Sequence, residues 1–140
     1  MSSGPRSSPD GPLAYLDSSA AAKLVVREDE SAAVTRALGQ WAGAVSSELL
    51  AIEVRRLAVR AGRALEERAR EVIERFALYP VSPAVVRRAA VVEPAGLRTL
   101  DAIHLATALE LMPDIGALFT YDRKLERAAD AAGIEVLAPR

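Results

Sequence analysis

Four carboxylates fall where a folded chain seldom leaves a free charge, and their placement restricts the fold more than any other feature. Asp17 follows the apolar run LAYL, Glu53 lies among Leu49, Leu50 and Leu57, Asp101 sits inside LRTLDAIHLATAL, and Asp122 follows GALFTY. Burying an isolated ionised carboxylate is very costly, so each must be paired, protonated or set against a cation. A fold that serves all four at once brings them to one place.

The apolar pattern supplies the frame for such a fold. Short runs at 13–16, 43–46, 117–121 and 134–137 read as buried strands, and Pro80 and Pro83 bracket another short extended piece. Helical periodicity covers 18–26, 31–41, 47–61, 64–77, 85–92, 99–111 and 123–132, with Gly62, Pro113 and Gly133 as breaks. Strands alternating with helices predict an α/β fold: a central, mostly parallel sheet of four to five short strands with helices on both faces. In open sheets of this kind, sites form beyond the carboxyl ends of the strands, where Asp17 and Asp122 both fall.

At 140 residues the chain is expected to form a single domain over 13–140, with residues 1–12 (MSSGPRSSPDGP) as a disordered tail. No cysteine and a single histidine, His104, exclude thiolate zinc sites and sites built on several imidazoles. No apolar run reaches the roughly 18–20 residues of a membrane span, and the start lacks the apolar stretch of a signal peptide. A cytoplasmic protein with no membrane contact is expected. The formal net charge of −1 gives no global attraction to nucleic acid, which must then be met by a local basic patch or by metal ions.

Each acid also has an ordinary structural explanation. Asp17 and Asp122 stand between a strand and a helix, where N-caps belong, and capping does not exclude metal binding. Glu53 has Leu49, Leu50 and Leu57 as its neighbours at i−4, i−3 and i+4, so it points inward, with a salt bridge to Arg56 as the alternative. Glu48 falls on the far side with Arg55 and reads as a solvated charge. Asp101 sits in the first turn of a helix too apolar to be exposed on any side, where the helix dipole favours an anion, with Thr99 as the cap. His104, three residues on, reads as a hydrogen-bonded core residue, and Trp41 as a core or helix-end residue. The arginines and glutamates of RRLAVRAGRALEERAREVIER read as a solvated surface laced with salt bridges.

With these residues in view, the chain resembles the PIN-domain nucleases, specifically the VapC-type toxins of bacterial toxin–antitoxin pairs. YLDSSAAAKLVV, SSELLAIEVRRLAVR, GLRTLDAIHLATAL and LFTYDRKLERAADAAGIEVLAP carry the likeness in the family's order and approximate spacing. The resemblance implies that Asp17, Glu53 (rather than Glu48), Asp101 and Asp122 are the four family acids. It further implies that Ser18 and Thr120 occupy small hydroxyl positions supporting a metal site. Tyr121 stands where many relatives have a smaller polar residue.

A cluster of carboxylates with no thiol or second imidazole selects a hard cation, Mg²⁺ or Mn²⁺. Asp17, Asp101 and Asp122 would hold it, and Glu53 would complete the shell or orient the attacking water. The residues support metal-dependent phosphodiester cleavage without distinguishing RNA from DNA. The resemblance implies an endoribonuclease acting on single-stranded or looped RNA, a small antitoxin partner and a homodimer, with the apolar stripes of 31–41 and 47–61 as interfaces. The alternative is a catalytically silent PIN-fold domain that binds RNA or a partner. A receiver-like module or a haloacid-dehalogenase-type phosphatase would need a further acid close after Asp17, where Ser18 and Ser19 stand.

Overall fold

The alternation within Leu13–Leu16 (β1) sends its side chains to two different cores. In the computed structural model, which describes residues 11–140, Ala14 and Leu16 join one buried cluster and Tyr15 the other. The remaining strands are Ala44–Ser47 (β2), Phe76–Tyr79 (β3), Ile115–Phe119 (β4) and Val136–Leu137 (β5). They form a parallel sheet in the order β3-β2-β1-β4-β5. The expected fold class is therefore borne out. The expected tail falls mostly on residues 1–10, outside the described residues.

The helices are Ser18–Val25 (α1), Ser31–Leu38 (α2), Leu49–Ala61 (α3), Glu66–Glu74 (α4), Pro83–Ala89 (α5), Thr99–Glu110 (α6) and Arg123–Ala131 (α7). Leu24, Val34, Leu50, Val54 and Val72 from α1 to α4 close over Ala14, Leu16, Ala117 and Phe119 on one face. On the other, Leu105 of α6 and Leu125 of α7 pack on Tyr15, Val45 and Leu118. Helices on both faces are the usual cover for a parallel sheet, whose strands are apolar on both sides.

One strand lies where a helix was expected. The helical pattern over 64–77 stops at Glu74, and Phe76–Tyr79 pairs with β2 from Ala44↔Phe76 to Ser47↔Tyr79. Pro80 has no N–H to offer a ladder, so it ends this strand rather than opening one. Ser47 likewise belongs to β2, and its hydroxyl accepts the Leu49 N–H (3.1 Å) as the chain turns into α3. Trp41 lies beyond α2, edge-on to Phe119 with ring centroids 6.0 Å apart.

β4 carries a bulge. Leu13 pairs with Ile115 but Ala14 pairs with Ala117, which leaves Gly116 as the extra residue. A Cβ there would lie 2.6 Å from Trp41 Cζ3 and 3.0 Å from Pro12 Cβ, so only glycine fits without a shift.

The Arg/Glu-rich stretch is not the expected lattice of salt bridges. Among the described residues it contains the Glu67–Arg70 pair, while Arg68 Nε donates to the Leu24 carbonyl (3.0 Å). Exposed pairs of long side chains gain little over solvation, so most of these groups stay in water. Glu48 is exposed as expected, but its Oε2 accepts the Val81 N–H (2.7 Å) and anchors the loop after β3.

Candidate active site

β1 and β4 are neighbours, yet the chain leaves them toward opposite faces, into α1 after β1 and into α7 after β4. That is the switch point of the sheet, where a crevice opens at the strand ends. Asp17 lies at its floor, 2% exposed. Its Oδ1 accepts the Ala20 N–H (3.0 Å), capping α1, and the Ser19 hydroxyl (2.7 Å). Its Oδ2 accepts the Thr120 hydroxyl (2.6 Å) from the end of β4. Burial pushes the Asp17 carboxyl above the ordinary aspartate range, and the bonds from Thr120, Ala20 and Ser19 offset part of that push.

Thr120 holds both strand ends. Besides donating to Asp17, its Oγ1 accepts the Asp122 N–H (3.0 Å). Asp122 caps α7 through Oδ1, which accepts from Lys124 N–H (2.8 Å) and Leu125 N–H (3.1 Å). Both aspartates that follow a strand are therefore N-caps, as their sequence position suggests. Ser19, which the sequence reading did not single out as part of the site, adds a second tie. Its Oγ accepts the Tyr121 N–H (2.9 Å) while donating to Asp17. Ser18 opens α1 and lines, with Glu53, Arg56, Arg60 and Leu100, a groove of about 340 Å³ beside the acids.

Asp101 is half-buried in the first turn of α6. Its pKa is raised, first by burial and then by the negative charges of Asp122 and Asp17. Thr99 is not the cap, since the helix begins at Thr99 and Arg98 occupies the cap position without a side-chain bond. Leu100 is 48% exposed, and the buried residues of α6 are Ala102 and His104 to Ala108, so the helix is not buried on every side.

Glu53 does not pair with Arg56. Its Oε1 lies 2.8 Å from His104 Nε2, and His104 Nδ1 lies 2.7 Å from the Tyr15 hydroxyl. His104 is buried and hydrogen-bonded as expected, but its partner is one of the four acids. Its spacing of three from Asp101 was the available signal, because i and i+3 share a helix face.

Among the described residues, no three His, Asp or Glu side chains stand close enough to hold an ion as now oriented. The caps engage Asp17 and Asp122 with their helices, and His104 engages Glu53. The donor chemistry nevertheless suits a hard divalent cation. The acids offer only oxygen, the Asp101 carboxylate has no hydrogen-bond partner among the described residues, and burial and then neighbouring like charges raise its pKa. A dication at the crevice would relieve that repulsion.

The PIN domain family model matches residues 14–131. The chain is 44% identical over 125 residues to Ribonuclease VapC46 of Mycobacterium tuberculosis, covering 89% of this chain and 96% of that protein. It is 33% identical over 132 residues to Ribonuclease VapC47 of the same species, covering 91% and 97%. Among solved structures, a chain of a toxin–antitoxin complex from Klebsiella pneumoniae superposes with a TM-score of 0.70 at 26% identity, covering 91% of this chain and 98% of that one.

Proposed function

The chain belongs to the PIN-domain family, and from that premise we propose that it is a VapC-type endoribonuclease, the toxin of a toxin–antitoxin pair, that hydrolyses single-stranded or looped RNA with Mg²⁺ or Mn²⁺. The carrying observation is the meeting of Asp17, Thr120 and Asp122 at the β1/β4 crevice in a chain that spans nearly all of its ribonuclease relatives.

Asp17, Asp101 and Asp122 would hold the cation, with Glu53 completing the shell or orienting the attacking water. The bound cation supplies charge neutralisation at the scissile phosphate and a lowered pKa for the attacking water. Asp17 is fixed by three bonds, from Ala20, Ser19 and Thr120, so little reordering is needed to use its remaining lone pairs. Asp122 keeps Oδ2 available because both capping bonds fall on Oδ1. Arg56 and Arg60, lining the groove with Ser18 and Glu53, would neutralise phosphates of the incoming strand. Neither needs the chain as a whole to be basic.

A small antitoxin and a second copy of the chain complete the proposal. Ile52 (58% exposed) and Val59 (70% exposed) on α3 support an apolar partner surface there. Among the described residues no helix is long and apolar enough to cross a membrane.

Structured RNAs incubated with the protein in Mg²⁺, Mn²⁺ or EDTA test this. Cleavage is expected with either metal, and not in EDTA or in Asp101→Asn and Asp17→Asn. Normal cleavage in EDTA or by either variant would refute it.

A further inference from the structure

His104 joins the two helix layers through a side-chain bond. Glu53 stands on α3, over one face, and His104 on α6, over the other, so their bond crosses the carboxyl edge of the strands. On its far side the imidazole meets Tyr15 of β1, a fully buried phenol set edge-on to the ring at 5.8 Å between centroids.

The proton positions in this chain follow from the acceptors. Glu53 carboxylate can only accept, so His104 Nε2 must carry a hydrogen. The buried Tyr15 phenol has one hydrogen to give. Ser46 and Thr107, the hydroxyls beside Tyr15, spend their own hydrogens on the Leu16 carbonyl (2.6 Å) and the Ile103 carbonyl (2.6 Å). None of these neighbours supplies a hydrogen to Nδ1 except Tyr15. In a neutral imidazole with its hydrogen on Nε2, Nδ1 is the acceptor, and the bonds run in one direction: Tyr15 O–H to Nδ1, then Nε2–H to Glu53 Oε1.

We propose that Tyr15 and His104 are positioning residues for the nuclease reaction: Tyr15 fixes the His104 tautomer, and His104 then holds Glu53 by one oxygen and leaves the other for the site. This rests on the reading of Glu53 as a member of that site. Without the Tyr15 hydroxyl, the hydrogen can move to Nδ1. Nε2 would then turn a lone pair toward the carboxylate, and Glu53 would lose its hold. Ligand-orienting histidines at metal sites show the same dependence on the group bonded to their second nitrogen.

Because His104 is the single histidine, ¹⁵N NMR of its ring reads one residue without assignment. In the metal-free protein at neutral pH we expect a hydrogen on Nε2 and a hydrogen-bonded acceptor at Nδ1, with Tyr15→Phe admitting the Nδ1–H form. In cleavage assays Tyr15→Phe should lower kcat about tenfold and leave KM within about twofold. Added to Glu53→Gln it should slow the reaction no further. His104→Gln, whose amide can still donate to Glu53, should retain more activity than His104→Leu. If His104→Leu does not fold, Tyr15→Phe carries the test alone.

A hydrogen on Nδ1 in the wild type overturns the proposal. So does an unaltered rate in Tyr15→Phe, or the same loss in the wild-type and Glu53→Gln backgrounds. Full activity of Glu53→Gln would remove Glu53 from the site, and the positioning role with it, even with the tautomer as expected.

Discussion

Thr120 and Asp17, 103 residues apart in sequence, meet at 2.6 Å where β4 and β1 end side by side. The hydroxyl hydrogen goes to a carboxylate that is almost fully buried, and the same oxygen accepts the Asp122 N–H. One small side chain thus binds two of the four acids into a common frame.

Removing that hydroxyl while keeping the shape should be costly. Thr120→Val is expected to lose about 1.5–3 kcal/mol, the range for hydrogen bonds to charged groups, because Asp17 stays buried with one fewer donor. Ser19→Ala should lose about 1–2 kcal/mol for the same reason. Urea unfolding measures both, and a Thr120→Val midpoint equal to wild type would contradict the account.

The raised carboxyls give the metal-free protein an unusual pH response. A group whose folded pKa is raised contributes stability below its unfolded pKa and loses it as pH rises through the folded value. For Asp17 and Asp101 that unfolded value is near 3.8. Metal-free protein should therefore gain stability as pH falls from above those raised values toward the unfolded one. Glu30, whose pKa is lowered by its bond to Lys23, acts in the opposite sense, but only below its ordinary 4.5. Asp101→Asn should unfold about 2–5 °C higher than wild type at pH 7 and show a weaker pH response. Thermal scans across this range in EDTA decide the matter.

Mn²⁺ should reverse the cost of that charge. At about 100 times the dissociation constant, linkage gives roughly 2.7 kcal/mol of stabilisation. Asp17→Asn keeps a capping oxygen for Ala20 but loses the charge, so its melting temperature should not respond to Mn²⁺. An equal response in variant and wild type would place the ion elsewhere.

Gly116→Ala tests the bulge. The added methyl meets the Trp41 ring and Pro12, and overpacking of this kind costs about 1–3 kcal/mol. Near-UV circular dichroism of Trp41, the one tryptophan, should report the displaced ring at the same time.

The sequence exposed the acids because each interrupts an apolar pattern, and the two capping aspartates because each stands at a strand-to-helix junction. β3 was hidden because Phe76–Tyr79 continues the helical spacing of the residues before it; its pairing with β2 is a non-local fact. The partnership of Glu53 with His104 was hidden for a related reason. Each lies on its own helix's inward stripe, and only the sheet order shows that stripes on opposite faces converge over the strand ends. Ser19 was masked by Ser18, which sits next to the acid in sequence, while Ser19 makes the bonds to Asp17 and Tyr121.

The pairing of β1 with β4 also sets when the crevice can form. Asp17 precedes Thr120 by 103 residues, so the chain must extend through β4 before the two can meet. A fragment ending before β4 cannot close the crevice.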